Sequence, residues 1–299
     1  MRAVVYTRHG GPEVLNVREM PRPAPGPNDV LVRVKAVALN HLDVWIRTGL
    51  PRLKVTFPHI PGADVAGIVE ETGPAVTTAR PGDEVIVAPG ISCGVCEYCV
   101  AGEDNLCREY SILGEHRHGG YADYVSIPQE NVLPKPAHLT FEEAAAIPLV
   151  FLTAWNMLVT NGRVRFGDAV LIWGAGSGVG SAGIQIAKLF SARVIAVAGA
   201  PWKLEKAKDL GADEGIDHRE QDVLEEVRRL TGKRGVDIVV DHVGAATWQT
   251  SIKALARGGR LVTCGATSGP EAMTDIRYIF GRRLSIHGTW MGTKRELYE

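Results

Sequence analysis

The chain has 299 residues, with 33 Lys and Arg against 34 Asp and Glu for a net charge of -1. That length supports two medium domains with separate cores, and the balanced charge leaves no basic field for a nucleic acid backbone. No run of about 20 apolar residues is present to span a bilayer, and Met1-Arg2-Ala3-Val4-Val5-Tyr6 reads as a strand, without the layout of a signal peptide. The expectation is a cytoplasmic protein with no nucleic acid and no membrane partner.

After the opening strand, residues 30–37 place charged side chains at alternate positions, the pattern of a half-buried strand. Residues 63–69 and 84–88 are short apolar runs bounded by Gly-Pro and Pro-Gly-Asp turns, and 121–125 is a further strand. Together they predict a β-rich, barrel-like domain over residues 1–135. Near residue 140 the period changes. Thr140-Phe141-Glu142-Glu143 is a capping box, and a helix is expected from there towards Val159. Strands at 169–173, 193–197, 236–241 and 260–264 then alternate with helices at 179–190, 203–210 and 247–255. Such alternation predicts an α/β unit with a doubly wound parallel sheet over residues 136–285.

The first strand of that unit runs into Gly174-Ala175-Gly176-Ser177-Gly178-Val179-Gly180 and then a helix. A glycine motif alone is weak. Between a strand and a helix it is the context in which backbone N–H groups meet a dinucleotide pyrophosphate. Where an NAD site usually carries an acid, the next strand ends Val197-Ala198-Gly199-Ala200-Pro201-Trp202-Lys203. With no carboxylate to take the ribose hydroxyls, and with Lys203, His218 and Arg219 as sources of positive charge, the expected cofactor is NADP(H).

Cys93, Cys96, Cys99 and Cys107 are separated by two, two and seven residues, and only Cys264 lies elsewhere. Four thiolates close a tetrahedral shell around zinc and leave no position for water or substrate. One structural zinc is therefore expected, in a lobe at about residues 90–110. Cys264, at the end of an apolar strand, reads as a small buried side chain.

The chain resembles the medium-chain dehydrogenase/reductase superfamily in the cysteine lobe and in "HIPGADVAGIVEETGP", "RPGDEVIV", "GGYADYVSIP", "VLIWGAGSGVG" and "VVDHVG". The resemblance implies a chaperonin-10-like β-barrel domain followed by a Rossmann domain. Alcohol dehydrogenases of this superfamily hold a second, catalytic zinc, but the corresponding positions here are Asn40, Ala63-Asp64 and the region of Pro148, Leu149 and Val150. Only Asp64 could ligate. "NHLDVWIRTG" looks instead like the quinone oxidoreductase branch, whose members use NADPH to reduce quinones, enals, enones or enoyl thioesters.

On that resemblance, Asn40 is a hydrogen-bond donor to substrate or cofactor, Asp43 a candidate for proton handling, Trp45 a pocket wall and Thr153 a neighbour of the nicotinamide. Gly176, Ser177, Gly178, Val179 and Gly180 are placed at the pyrophosphate. Gly199, Lys203 and His218 are placed at the adenosine end, and Val243, Gly265, Ala266 and Thr267 on the nicotinamide side. His242 is given no role. The resemblance also implies a homodimer or a dimer of dimers. Relatives continue beyond "LSIHGTWMGTKRELYE", so residues 286–299 are expected to begin a return to the first domain that is cut short. The leading expectation is a metal-free NADPH-dependent reductase acting on a small molecule. An alcohol dehydrogenase with unusual zinc ligands, or an NADPH-binding protein with little catalysis, are the alternatives.

Overall fold

The computed structural model describes residues 1–50 and 53–299. They divide into two compact units, one comprising residues 1–149 and 293–299, the other residues 150–292. The division falls later than the 135/136 boundary expected from the change of period.

In the first unit, β1 (Arg2–Val5) pairs with β2 (Asn16–Glu19). After β3 (Asp29–Ala38) comes α1 (His41–Thr48), then β4 (Asp64–Thr72) and β5 (Glu84–Val87). The cysteine lobe contains β6 (Gly90–Ile91), α2 (Glu97–Val100) and β7 (Ser111–Ile112), and is followed by β8 (Tyr124–Pro128) and β9 (Val132–Pro134). The main sheet is antiparallel in the order β8-β3-β4-β5-β9. Its alternating inward residues, including Val30, Val32, Val65, Val69, Val85, Val87, Val125 and Ile127, form the core. The strand expected at 121–125 begins only at Tyr124, because Tyr121 and Ala122 turn across to β1 through the Ala3–Ala122 bridge.

The helix expected from Thr140 to Val159 is broken. Its first piece, α3 (Phe141–Ala145), opens with the predicted capping box, the Thr140 hydroxyl accepting from Glu143 N at 3.2 Å and the Glu143 carboxylate from Thr140 N at 2.9 Å. Pro148 has no N–H to continue that helix, and it starts α4 (Pro148–Trp155), which runs on as a π-helix over Asn156–Asn161. Ala144 and Ala145 are buried with Ala66, Ile86 and Leu133, which is why α3 belongs with the first unit.

The second unit follows as β10 (Ala169–Ile172), α5 (Gly178–Leu189), β11 (Arg193–Ala198), α6 (Pro201–Asp209), β12 (Glu214–Asp217), α7 (Val223–Leu230) and β13 (Val236–Asp241). It closes with α8 (Trp248–Ala254), β14 (Leu255–Thr263), α9 (Ile276–Arg282) and β15 (Ser285–Gly288). The sheet is wholly parallel in the order β12-β11-β10-β13-β14-β15, the doubly wound arrangement. Its central strands are apolar on both faces, as a sheet covered on both sides requires. Val170, Ile172, Val194 and Ile238 enter one core, and Leu171, Ile195, Val197 and Val239 the other. The last helix, α10 (Lys294–Tyr298), lies in the first unit, where Lys294 donates from N to Asp104 Oδ1 and from Nζ to Ser92 Oγ, each at 3.0 Å.

The end of β13 is organised by one carboxylate. Asp241 is fully buried and accepts from Val243 N, Gly244 N and the hydroxyls of Thr247 and Ser251, the last at 2.6 Å. Trp173 Nε1 donates in turn to Ser251 Oγ. Removing such an acceptor leaves buried donors unsatisfied. Asp241→Ala is expected to lower unfolding free energy by about 2–4 kcal/mol, measured by urea denaturation; a loss within error would show that these donors re-pair.

Candidate functional site

In the first unit Asn40, which caps α1, and Asp64, the first residue of β4, lie together. Asn40 Nδ2 donates to Asp64 Oδ2 at 2.8 Å, and Leu149 N donates to Asp64 Oδ1 at 2.9 Å. Asp64 is 1% exposed. Desolvation raises its pKa to about 7 against the pull of these two bonds, and the nearby Asp43 charge adds to the rise. Asp43 is the pin of this arrangement. Its Oδ2 accepts from Asn40 N at 2.8 Å and from the Tyr121 hydroxyl at 2.9 Å, and its Oδ1 from Gly62 N at 3.1 Å. Gly62 has φ +104, and a Cβ there would stand 2.3 Å from the Tyr121 ring, so only glycine fits.

Of the residues expected to act on substrate, the fold thus joins Asn40 and Asp43 and adds Asp64. Trp45 lies half-buried on α1 with its ring 4.9 Å from that of His41. Thr153 is in the second unit, buried, with Oγ1 3.9 Å from Met291 Sδ. Tyr121 and the Leu149 amide were missed. Tyr121 stood in a recognised motif, but nothing local in the sequence pairs it with Asp43, 78 positions away.

The donor set around Asn40 does not fit a catalytic zinc, which takes three protein ligands. Asn40, Ala63 and Leu149 offer no anionic or imidazole side chain, and both oxygens of Asp64 already accept hydrogen bonds. His59 is no substitute: it is buried, neutral-favouring through desolvation, and its Nε2 lies 2.9 Å from Gly114 O. Among the described residues the one group of His, Cys, Asp or Glu side chains arranged for a metal is Cys93, Cys96, Cys99 and Cys107, whose sulfurs all lie within 4.8 Å of one another. The Cys96–Cys99 and Cys93–Cys99 sulfur separations of 3.6 and 3.9 Å suit a tetrahedral zinc, with edges of about 3.8 Å for bonds of about 2.3 Å. Cys107 Sγ also accepts from Cys93 N and Glu109 N, both at 3.4 Å, support of the kind that steadies a thiolate ligand.

In the second unit the glycine turn joins β10 to α5. Ser177 caps the helix, its Oγ accepting from Gly180 N at 3.0 Å, which leaves the Gly178 and Val179 amides of the first turn without helical acceptors. A Cβ at Gly180 would come within 2.3 Å of Gly174 O, so helix and turn approach as closely as a pyrophosphate cradle needs. At the end of β11, Ala198, Gly199 and Ala200 present no carboxylate. A Cβ on Gly199 would meet His218 Nε2 at 2.7 Å and Arg219 Nε at 3.0 Å, and one on Gly176 would meet the Lys203 stem at 3.0 Å. Two basic side chains therefore stand over Gly199, and the stem of a third lies over Gly176. The nearest acid in sequence, Asp217, is occupied by Arg219 N at 3.0 Å. On the other side of the turn, Ser268 N bonds Val243 O at 2.8 Å, while Ala266 and Thr267 are exposed and Gly265 backs onto His242 O. His242, given no role in the sequence reading, has its Nε2 3.1 Å from Ser177 Oγ.

A β domain with a cysteine lobe, joined to a doubly wound sheet with a dinucleotide turn, defines a class of two-domain oxidoreductases. Residues 26–137 match the family of alcohol dehydrogenase GroES-like domains and residues 178–299 the family of zinc-binding dehydrogenases. The chain is 35% identical to a crotonyl-CoA reductase of Streptomyces collinus, over 100% of this chain and 75% of that one. It is 30% identical to the quinone oxidoreductase of Homo sapiens, over 100% of this chain and 83% of that one. A solved structure of an NAD-dependent alcohol dehydrogenase is 57% identical, with a TM-score of 0.95 over 100% of this chain and 87% of that one. The chain belongs to the medium-chain dehydrogenase/reductase superfamily and is an oxidoreductase of that class, with a cysteine cluster suited to zinc and a nicotinamide cofactor. No helix among the described residues is long and apolar enough to cross a membrane.

Two outcomes follow for this site. Metal analysis of dialysed protein is expected to give about one zinc per chain, lost in Cys96→Ser together with several degrees of Tm; a second zinc would place a metal at Asp64. For Asp64, the folded pKa of about 7 exceeds the unfolded value of about 3.9, so the native state binds the extra proton between those values and stability falls as pH rises through that window. Asp64→Asn removes this loss. Its stability relative to wild type should climb by a few kcal/mol from pH 4 to pH 7 and level off above; a pH-independent difference would refute the raised pKa.

Proposed function

We propose that the protein is an NADPH-dependent reductase that adds hydride to an activated C=C bond of an enoyl thioester, enal or enone, or to a quinone, without a catalytic metal. The observation that carries this reading is the 2.8 Å bond between Asn40 and Asp64 in place of a zinc ligand set. The names of the crotonyl-CoA reductase and quinone oxidoreductase relatives support it.

A bound nicotinamide supplies the hydride. Hydride addition to the β-carbon puts negative charge on the carbonyl oxygen, which needs donors where no Lewis acid serves. Asn40 has two amide protons; Asp64 takes one and fixes the plane of the group, and the other is available to the oxygen. Asp64 is too buried to meet substrate and acts through Asn40. With a pKa near neutrality it also stores a proton beside that amide. Asp43, spent on three donors, positions both residues and has no proton-handling role. The basic residues Lys203, His218 and Arg219, with no acid at the end of β11, favour a 2′-phosphate and hence NADPH over NADH. The setting is the cytoplasm and the expected assembly a homodimer.

The NAD-dependent alcohol dehydrogenase neighbour supports a second reading, oxidation of an alcohol. The two are separated by assaying NADPH oxidation with a short enoyl thioester and a benzoquinone, and NAD+ and NADP+ reduction with primary alcohols, each with and without chelator. Reductase turnover indifferent to chelation is expected. Chelator-sensitive alcohol oxidation would overturn the proposal. Asn40→Ala should lower kcat about 100-fold, on the scale of a lost oxyanion donor, while the NADPH Kd changes less than threefold; unchanged kcat would remove Asn40 from the mechanism.

A further inference from the structure

We infer that His242 belongs to the pyrophosphate site, where its imidazole and the Ser177 hydroxyl form a proton-linked donor pair for a phosphate oxygen. The inference rests on the dinucleotide reading but is independent of the choice between NADP and NAD.

His242 follows β13 and its ring lies over the glycine turn, so that a Cβ at Gly174 would come within 2.7 Å of its Cε1. Its Nε2 is 3.1 Å from Ser177 Oγ. Its backbone is held in place, the carbonyl accepting from Thr267 Oγ1 at 3.4 Å. The side chain is half-buried, neither sealed in the core nor free in solvent. It therefore stands against the hydroxyl that caps the phosphate-binding helix.

The hydroxyl has one proton and two lone pairs. One lone pair is committed to Gly180 N. When the imidazole is neutral with Nε2 as acceptor, the Ser177 proton is spent on the ring. When the imidazole is protonated, Nε2–H donates to the second lone pair and the Ser177 O–H is released to point outward. Protonation thus adds a cation beside a helix N-terminus and frees a donor there, and a pyrophosphate gains from both. By reciprocity, binding a pyrophosphate draws a proton onto His242.

Asp241, next in the chain, is sequestered by Val243 N, Gly244 N, Thr247 and Ser251. The turn and the first turn of α5 carry no titratable side chain. Cys264, after β14, has its thiol pushed up to about 12 by burial. From α6, Lys203 packs its stem over Gly176 and adds a further cation. His218 and Arg219 lie at Gly199, the adenosine end. His218 is thus a second imidazole of this unit, set apart from His242 at the adenosine end.

ADP-ribose is the probe that separates the two histidines, since it carries the pyrophosphate but no 2′-phosphate and no nicotinamide. Calorimetric titration is expected to show affinity falling about tenfold from pH 6 to pH 8, the scale of a hydrogen bond to a charged group. Proton uptake should appear as a dependence of the binding heat on buffer ionisation enthalpy. His242→Gln should abolish both the slope and the uptake, His218→Gln should retain them, and Ser177→Ala should reduce the slope. A flat profile in the wild type, or an unchanged slope in His242→Gln, overturns the inference while leaving the cofactor reading intact. The wild-type measurement suffices if a variant fails to fold. Absence of any ADP-ribose binding overturns the dinucleotide site itself and this pair with it.

Discussion

The first unit is organised around a buried carboxylate. Asp43 is 7% exposed, and desolvation alone raises its pKa. Its charge is tolerable only because three donors converge on it: the Asn40 amide at the mouth of α1, the Gly62 amide ahead of β4, and the Tyr121 hydroxyl. Each donor comes from a different loop. Satisfying one anion therefore fixes the relative position of three chain segments, and the Asn40–Asp64 pair follows from that, because Asn40 and Gly62-Ala63-Asp64 are the segments so fixed. Asp43 does no chemistry in this view. It sets a distance.

That geometry explains why Asp64 behaves unlike an ordinary acid. A carboxylate in a zinc site is held ionised by the metal. Here the partners are two neutral N–H groups, which only partly offset desolvation, and the neighbouring charge is the like charge of Asp43, which adds to it. The outcome is a group near its midpoint at neutral pH, next to an amide that can face substrate. Meanwhile the four cysteine Sγ atoms are already clustered and would close the shell of a metal, and α10 reaches Ser92, just before Cys93, and Asp104, between Cys99 and Cys107. The cysteine cluster and the Asn40–Asp64 pair are thus built from different donor sets, and neither has ligands to spare for the other.

Much of the second unit was legible in the sequence because its signals are local. A strand, a glycine turn and a helix follow one another within about twenty residues, and the apolar strands of a covered parallel sheet need no partner to be recognised. The cysteine cluster was legible for the same reason. What was not legible is what depends on distant pairing. β12, with Glu214-Gly215-Ile216-Asp217, is too polar and short to stand out. α1 was read as a motif but not as a helix, since its buried side includes Asp43 and Arg47, whose burial only the tertiary contacts explain. The single helix expected after Thr140 became two because Pro148 outweighed the continuous apolar pattern. His242 carried no local signal at all: its partner Ser177 lies 65 residues earlier, on another strand's turn.

The adenosine end shows how an absence in sequence becomes a property in space. Replacing an acid by Ala198 or Gly199 at the end of β11 removes a negative charge, but it also removes volume. The space over Gly199 is where His218 and Arg219 lie, within distances a Cβ would not permit. The glycine is thus as much a cause of the basic cluster as the basic residues are, because any larger residue would push both side chains away. A Lys203 stem packed on Gly176 completes the same logic on the other side of the turn. Restoring an acid at Gly199 would therefore act twice, by charge and by displacement. For that reason the charge at this end of the site is set jointly by the missing carboxylate and by the room that Gly199 leaves for His218 and Arg219.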